Sequence, residues 1–311
     1  MTRILVVGAG ATGAFFGSGL AAAGNDVTFL VRPRRRDVLR ERGLRIIGSD
    51  KQLAVLHPKL LTADELTGGY DAILLSVKAD ALDAAMADFA PAVGEHTAII
   101  PFLNGMAHLD ALNDRFGQRA VLGGVVRVAA LVDENGDIRQ LAPWTSMIIG
   151  EQNGQDSDRQ RTLADAFAPA AFDFATSDHI IGDMWHKWVF ISAVTAITTL
   201  LRGSVGEVAA VPGGVDFATG VLTEAATVSA AAGYPLSDKE FDATRSQVTQ
   251  PGSPFVPSMY RDLSIGLPTE VEHVFGDLLV RADKLGVGTP LLDLATMNLR
   301  VHQNRAQGPT G

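Results

Sequence analysis

The sequence predicts a chain in two parts, an α/β domain over residues 1–175 and an all-helical domain over 176–311. Three observations carry this reading. Apolar runs of strand length alternate with helical spacings through the first hundred residues, a rhythm that builds a parallel sheet with helices on both faces. Asn135-Gly136 then separates two long apolar stretches, and beyond Ser177 every periodic segment is helical. In order, strand-like runs occupy 4–7, 27–31, 44–47, 53–56, 72–77 and 98–101. A helical spacing through Phe16, Leu20 and Ala23 stops at Gly24, and further helices are expected over 34–44 and 81–89, the latter with Pro91 beyond it. The stretches 121–132 and 138–149 read as a hairpin around Asn135-Gly136, expected at the edge of the parallel sheet. Helices follow over 183–201, 215–232, 238–250, 269–285 and 291–301, with a loop punctuated by Pro251, Pro254 and Pro257. The polar tail 303–311 is expected to be disordered.

Composition narrows the function classes. The 311 residues include no cysteine, which excludes disulfides, thiolate nucleophiles and Cys-ligated metals. The seven histidines show no ligand-like pairing, so no metal is expected. A net charge of −9 gives a nucleic-acid role no global support, although one basic cluster, Arg32 to Arg36, stands out. The most apolar stretch, 188–201, is interrupted by Ser192, Thr195, Thr198 and Thr199 and falls short of the roughly 20 residues that span a bilayer. A buried helix fits it better, packed within one domain or, in a homodimer, against a second subunit. With no signal-peptide layout at the N-terminus, a cytoplasmic location without a membrane partner is expected.

The first candidate site follows the first strand. Gly8-Ala9-Gly10-Ala11-Thr12-Gly13 has a strand before it, a helix after it and a second strand within about 30 residues, the setting of a dinucleotide-binding loop. Gly8 permits the tight turn, Gly10 lets backbone N–H groups approach a pyrophosphate, and Gly13 lets the helix pack close to the strand. The helix N-terminus adds partial positive charge for the phosphates. The end of the second strand selects the cofactor. An NAD enzyme places a carboxylate there for the ribose 2′-hydroxyl, whereas this chain reads Phe29-Leu30-Val31-Arg32. An arginine fork pairs with a 2′-phosphate, so NADPH/NADP is the expected cofactor, with a second contact available from Arg34, Arg35 or Arg36.

With these motifs in place, the chain resembles the ketopantoate reductases (2-dehydropantoate 2-reductases) over nearly its whole length. The resemblance rests on Gly8–Gly13, Arg32, Val77-Lys78, Asn104-Gly105-Met106, Trp185-His186-Lys187, Ser258-Met259 and Thr269-Glu270-Val271-Glu272. It implies a Rossmann-like NADP-binding domain and a helical domain like the C-terminal domain of 6-phosphogluconate dehydrogenase. It also implies NADPH-dependent reduction of 2-dehydropantoate to pantoate, a step of pantothenate biosynthesis. Reduction of a ketone creates an alkoxide and needs a proton donor. Of six lysines, only Lys78 and Lys187 sit against long apolar segments, where loss of solvation makes a lysine a better acid. Lys187 matches the family's catalytic lysine and Glu270 its acidic partner on the substrate hydroxyl. Lys78, after the fourth strand, suits a positioning role near cofactor or substrate. Asn104 suits the nicotinamide ribose or the substrate, or else simply forms an Asn-Gly turn. Ser258, which equally reads as a helix cap, and Arg261 are candidates for a substrate carboxylate. Thr269 and Glu272 also have the spacing of a capping box.

The sequence also departs from the family. Where the family presents asparagine four and eight residues after the lysine, this chain has Ile191 and Thr195, on the same helical face and expected to line the substrate pocket. A third asparagine, in the following loop, corresponds to Val205, and the glutamine before Asn104 is Leu103. Losing these amides removes partners for hydroxyl and carboxylate groups. Three readings therefore stand: a ketopantoate reductase, a paralogous dehydrogenase for a more apolar carbonyl or alcohol, and a non-catalytic NADPH-binding regulator.

Overall fold

The computed structural model describes residues 1–307. They divide into two compact units, Met1–Leu103 with His108–Ile181, and Asn104–Ala107 with Gly182 onward. The chain thus changes unit between 181 and 182, and the short segment around Asn104 belongs with the helical unit. The stretch after 175 stays with the first unit because Ser177 N–H donates to Ile149 O, extending the pairing of the last strand.

The first unit opens with β1 (Arg3–Val7), α1 (Ala11–Ala22), β2 (Asp26–Leu30), α2 (Pro33–Arg42), β3 (Leu44–Ile47), β4 (Leu53–Leu56) and β5 (Lys59–Leu61). Next come β6 (Ala72–Leu75), α3 (Leu82–Phe89), β7 (Ala98–Pro101) and α4 (Ala107–Phe116). The long strands β8 (Leu122–Val132) and β9 (Ile138–Glu151), α5 (Asp158–Phe167) and β10 (Asp173–Thr176) complete it. An all-parallel sheet has the order β5-β2-β1-β6-β7, with Val7 beside both Leu30 and Leu75. Ile4, Leu5 and Val6 are fully buried, so β1 is a continuous apolar run, as a strand covered on both faces must be. Helix α1 lies against this sheet at very short range. A Cβ on Gly17 would stand 2.6 Å from Phe29 and 2.9 Å from Val6.

The hairpin forms around Asn135-Gly136 with Gly136 at φ 80°, and Asp133 accepts from the Asn135 and Asp137 amides. Its placement corrects the sequence reading. Instead of edging the parallel sheet it builds a second one, ordered β10-β9-β3-β4 with β8 antiparallel to β9. Among the described residues a single isolated bridge, Ile99 to Val121, joins the start of this hairpin to β7. The physical reason is the supply of partners, since β3 and β10 give β9 parallel neighbours the sequence reading had not assigned to it, and β4 extends the sheet beyond β3. Phe16, on α1, meets Phe102 at 5.7 Å and Phe172 at 5.0 Å, joining that helix to the core from both sides.

The helical unit is built on α6 (Ile180–Leu201), followed by α7 (Val205–Ala209), α8 (Gly214–Ala231), α9 (Asp238–Val248) and α10 (Ser258–Ser264). A π-helical turn, Glu272–Gly276, leads into α11 (Asp277–Lys284), and α12 (Pro290–Gln307) ends the described chain. The expected disordered tail is thus helical through Gln307, and positions 308–311 lie outside the described residues. From Trp188 to Thr199 helix α6 is mostly apolar and largely buried within the single chain. Thr198 and Thr199 satisfy their hydroxyls on the carbonyls of Val194 and Thr195, which lets polar residues enter a core helix. Glu224 of α8 accepts from the Leu291 and Leu292 amides and so caps α12 from another helix. Among the described residues no helix is long and apolar enough to cross a membrane.

Candidate functional site

The glycine loop folds as a cradle because each of its glycines answers a different constraint. Gly8 adopts φ 96°, donates its N–H to Leu30 O at 3.1 Å, and would drive a Cβ to 2.6 Å from Ser76 O. A Cβ on Gly13 would collide with Gly8 O, so the first turn of α1 can approach the loop only without one. Gly10 behaves oppositely. It caps α1 with no side-chain hydrogen bond, and a Cβ there would meet nothing within 4 Å. Ala9 is buried, while Ala11 and Thr12, in the first turn, are half-buried. Free helical N–H groups facing open space fit an anionic pyrophosphate, so the loop suits the dinucleotide expected of it.

At the end of β2, Arg32 caps α2 and is exposed. The basic cluster splits by partner. Arg35 donates to Gly136 O at 3.0 Å, and burial pulls its guanidinium below the usual value against the charge of Asp137. Arg36 reaches Thr62 and Glu65, at 3.2 and 3.1 Å. Both therefore hold the fold together and leave the anion role to others. Within the cluster, and among the described residues, the side chains of Arg32 and Arg34 make no hydrogen bond or ion pair and remain available to an anion. Lys78 is exposed and lies beyond β6, directly after Ser76 and Val77, the residues that press on Gly8.

In the helical unit, Lys187 is half-buried in the second turn of α6. Its neighbour Trp188 is fully buried and donates its indole Nε1–H to Val274 O at 2.8 Å. Val274 stands in the π-helical turn, four residues after Glu270. This bond fixes the Lys187 helix to the Glu270 turn. Glu270 itself is half-buried just before the helix starts. The capping-box reading of Thr269 and Glu272 is corrected. Glu272 forms two 2.7 Å bonds with Arg300 of α12, which hold its carboxyl below the usual range, while Thr269 bonds Gln303.

The turn also carries a residue the sequence reading missed. His273 hydrogen-bonds the backbone of Asn104, and burial lowers its pKa against the opposing influence of Glu270, Asn104 and Asp277. Asn104 is half-buried, and Gly105, at φ 77°, would place a Cβ 2.7 Å from His273 O. A histidine inside an apolar helical spacing carries no distinctive signal. The one available hint was Asn104-Gly105, whose left-handed glycine marks a close approach as well as a turn.

The remaining candidates are placed as follows. Ile191 is half-buried, while Thr195 is fully buried with no hydrogen-bond partner for its hydroxyl, so it offers a ligand no surface unless side chains move. Val205 begins α7 rather than lying in a loop; it is fully buried and donates its N–H to Phe255 O. Ser258 is exposed as the first residue of α10, and Pro257, not Ser258, occupies the cap. Arg261 donates to Val256 O at 2.9 Å, and burial draws its guanidinium below the usual value against Asp262. His186 turns away to Glu240, at 3.3 Å. Among the described residues no group of acidic or histidine side chains can hold a metal ion.

The sequence matches the family "Ketopantoate reductase PanE/ApbA" over residues 4–154 and its C-terminal counterpart over 179–303. It is 34% identical over 301 residues to an "Uncharacterized oxidoreductase YkpB" of Bacillus subtilis, covering 97% of this chain and 99% of that one. The chain belongs to the ketopantoate reductase family. Within this family it is 25% identical to the 2-dehydropantoate 2-reductase of Mesorhizobium japonicum, with 94% of each chain covered. The structure of 2-dehydropantoate 2-reductase from Geobacter metallireducens superposes with a TM-score of 0.87 at 28% identity, covering 96% of this chain and 99% of that one. The fold is also that of a D-mandelate dehydrogenase solved with NADH and anilino(oxo)acetate, at a TM-score of 0.88 and 21% identity, with coverage of 98% and 99%.

Proposed function

We propose that this ketopantoate reductase family member is an NADPH-dependent oxidoreductase that reduces a small 2-oxo acid to a 2-hydroxy acid. The observation that carries the reading is the bond from Trp188 Nε1 to Val274 O, which ties the helix bearing Lys187 to the turn bearing Glu270. A passive nucleotide binder has no use for an ammonium and a carboxylate held on interlocked segments. The open face at Gly10 and the unengaged Arg32 support NADPH as the cofactor.

Bound NADPH supplies the hydride that the carbonyl carbon accepts. Lys187 gives its Nζ proton to the carbonyl oxygen, which becomes the hydroxyl, and regains one from solvent before the next turnover. Glu270 accepts a hydrogen bond from the substrate hydroxyl and orients it. Asn104 positions the nicotinamide ribose or the substrate, Lys78 supports the cofactor edge, and Ser258 with Arg261 offers donors to the substrate carboxylate. The protein acts in the cytoplasm on a diffusible small molecule.

The names of several relatives support 2-dehydropantoate as the substrate. A more apolar 2-oxo acid is favoured by one observation, that the half-buried Ile191, four residues after Lys187, offers no side-chain amide. A panel of 2-oxo acids assayed for NADPH oxidation separates the two. Turnover of 2-dehydropantoate no faster than that of branched or aromatic analogues removes it as the natural substrate.

A further inference from the structure

We infer that His273 is a positioning residue of the active site, locking the Asn104-Gly105 segment against the turn that carries Glu270. The inference rests on the functional reading above for the roles of Asn104 and Glu270, and on separate geometry for the lock. Two adjacent residues make both connections. The His273 ring hydrogen-bonds the backbone of Asn104, and the carbonyl of the same residue lies where a Cβ on Gly105 would come to 2.7 Å. The next residue, Val274, receives the Trp188 indole 2.8 Å away and so fixes the helix of Lys187. Glu270 stands three residues earlier, close enough for its charge to act on the imidazole. The lysine, carboxylate and asparagine segments therefore converge on His273-Val274.

This arrangement is locally costly, which argues against filler. An aliphatic side chain would occupy the same space without desolvating an imidazole, and Gly105 must hold a left-handed φ of 77°. Costs of this kind persist where the geometry they fix is used. Burial disfavours the charged imidazolium against the opposing pull of Glu270. A ring that fixes the Asn104 backbone also fixes where the Asn104 side chain starts. Displacing such a group by about 1 Å can cost on the order of 100-fold in rate.

The test compares His273→Ala, His273→Gln and Gly105→Ala with the wild-type protein in steady-state kinetics and in hydrogen–deuterium exchange of segment 104–107. Gln keeps an N–H donor of similar reach, so it should restore most of what Ala removes. We expect His273→Ala and Gly105→Ala to lower kcat about 100-fold. The KM for NADPH should stay within about threefold, because the phosphates are held elsewhere, by the glycine loop and Arg32. Exchange of 104–107 should quicken at least about tenfold in both variants, and His273→Gln should recover to within about tenfold of wild-type kcat. Unchanged kcat and exchange in His273→Ala would overturn the inference. So would a Gln variant as impaired as Ala, since that reports lost packing rather than a lost bond. A wild-type chain that reduces no 2-oxo acid would overturn the proposed function alone, and the exchange comparison would still decide the lock.

Discussion

Gly10 and Gly13 are three residues apart in one loop, yet their substitutions should fail in different ways. Gly13→Ala puts a methyl group into Gly8 O and should cost about 3 kcal/mol of stability. Gly10→Ala meets nothing in the protein, so thermal unfolding should be unchanged while NADPH binding, measured by fluorescence titration, is lost to the methyl group. A Gly10→Ala protein that binds NADPH normally contradicts the cradle. At the next strand end, Arg32→Ala should raise the KM for NADPH about tenfold or more and leave that for NADH nearly unchanged. Equal effects on both cofactors would remove the 2′-phosphate assignment. His273 sets a pH dependence of its own. Its folded pKa is lowered from the ordinary 6.5 by burial, so the unfolded chain binds the proton more readily. Stability from this residue is complete above the ordinary value and declines as pH falls from there through the lowered one. Denaturant midpoints should show that decline, and His273→Gln should flatten it. The glycines and Arg32 were legible because their chemistry is written in consecutive residues. Arg35 and Arg36 were not separable from them, since their partners Gly136 and Glu65 are remote in sequence.

At the scale of elements, legibility followed the strength of the local signal. Strands β4 and β7 have the bounds that their apolar runs predict, and α1 to α3 lie where the spacing puts them. Helix α5 escaped notice because DRQRTLADAF is mostly polar, although Ser157 capping Gln160 N–H and buried Gln160, Leu163 and Phe167 mark it plainly afterwards. The three-residue β5 and the exposed β10 have too little apolar content to announce themselves. The second sheet was hidden for a different reason. Which strand pairs with β9 depends on partners from opposite ends of the first unit, and no local pattern encodes that choice. The π-helical turn is tied to a distant helix too, since Val274 O accepts from Trp188. Replacing Trp188 with Phe removes the indole donor and part of a buried ring, and should cost about 1–3 kcal/mol in chemical denaturation. It should also lower kcat, because the Lys187 helix loses its tie to the Glu270 turn. A Trp188→Phe protein of native stability and activity would show that the bond does no such work.

Across the whole molecule, the two units divide the chemistry. The first holds the glycine cradle, Arg32 and Lys78, and the second holds Lys187, Glu270, Asn104 and His273. Asn104 is the informative case. It follows a strand of the parallel sheet in sequence but belongs to the helical unit, so its position in the chain does not predict which unit fixes it. The family's motifs made the candidate residues for cofactor and proton transfer readable, whereas the burial of Thr195 and Val205 was not, because it depends on tertiary packing. Proton donation by Lys187 in an NADPH-dependent reduction can be checked by measuring NADPH binding and turnover of a 2-oxo acid panel side by side for wild type and Lys187→Ala. We expect unchanged NADPH affinity and a kcat lower by about 100-fold to 10,000-fold on the best substrate. A Lys187→Ala protein that binds NADPH and turns over at the wild-type rate would contradict it.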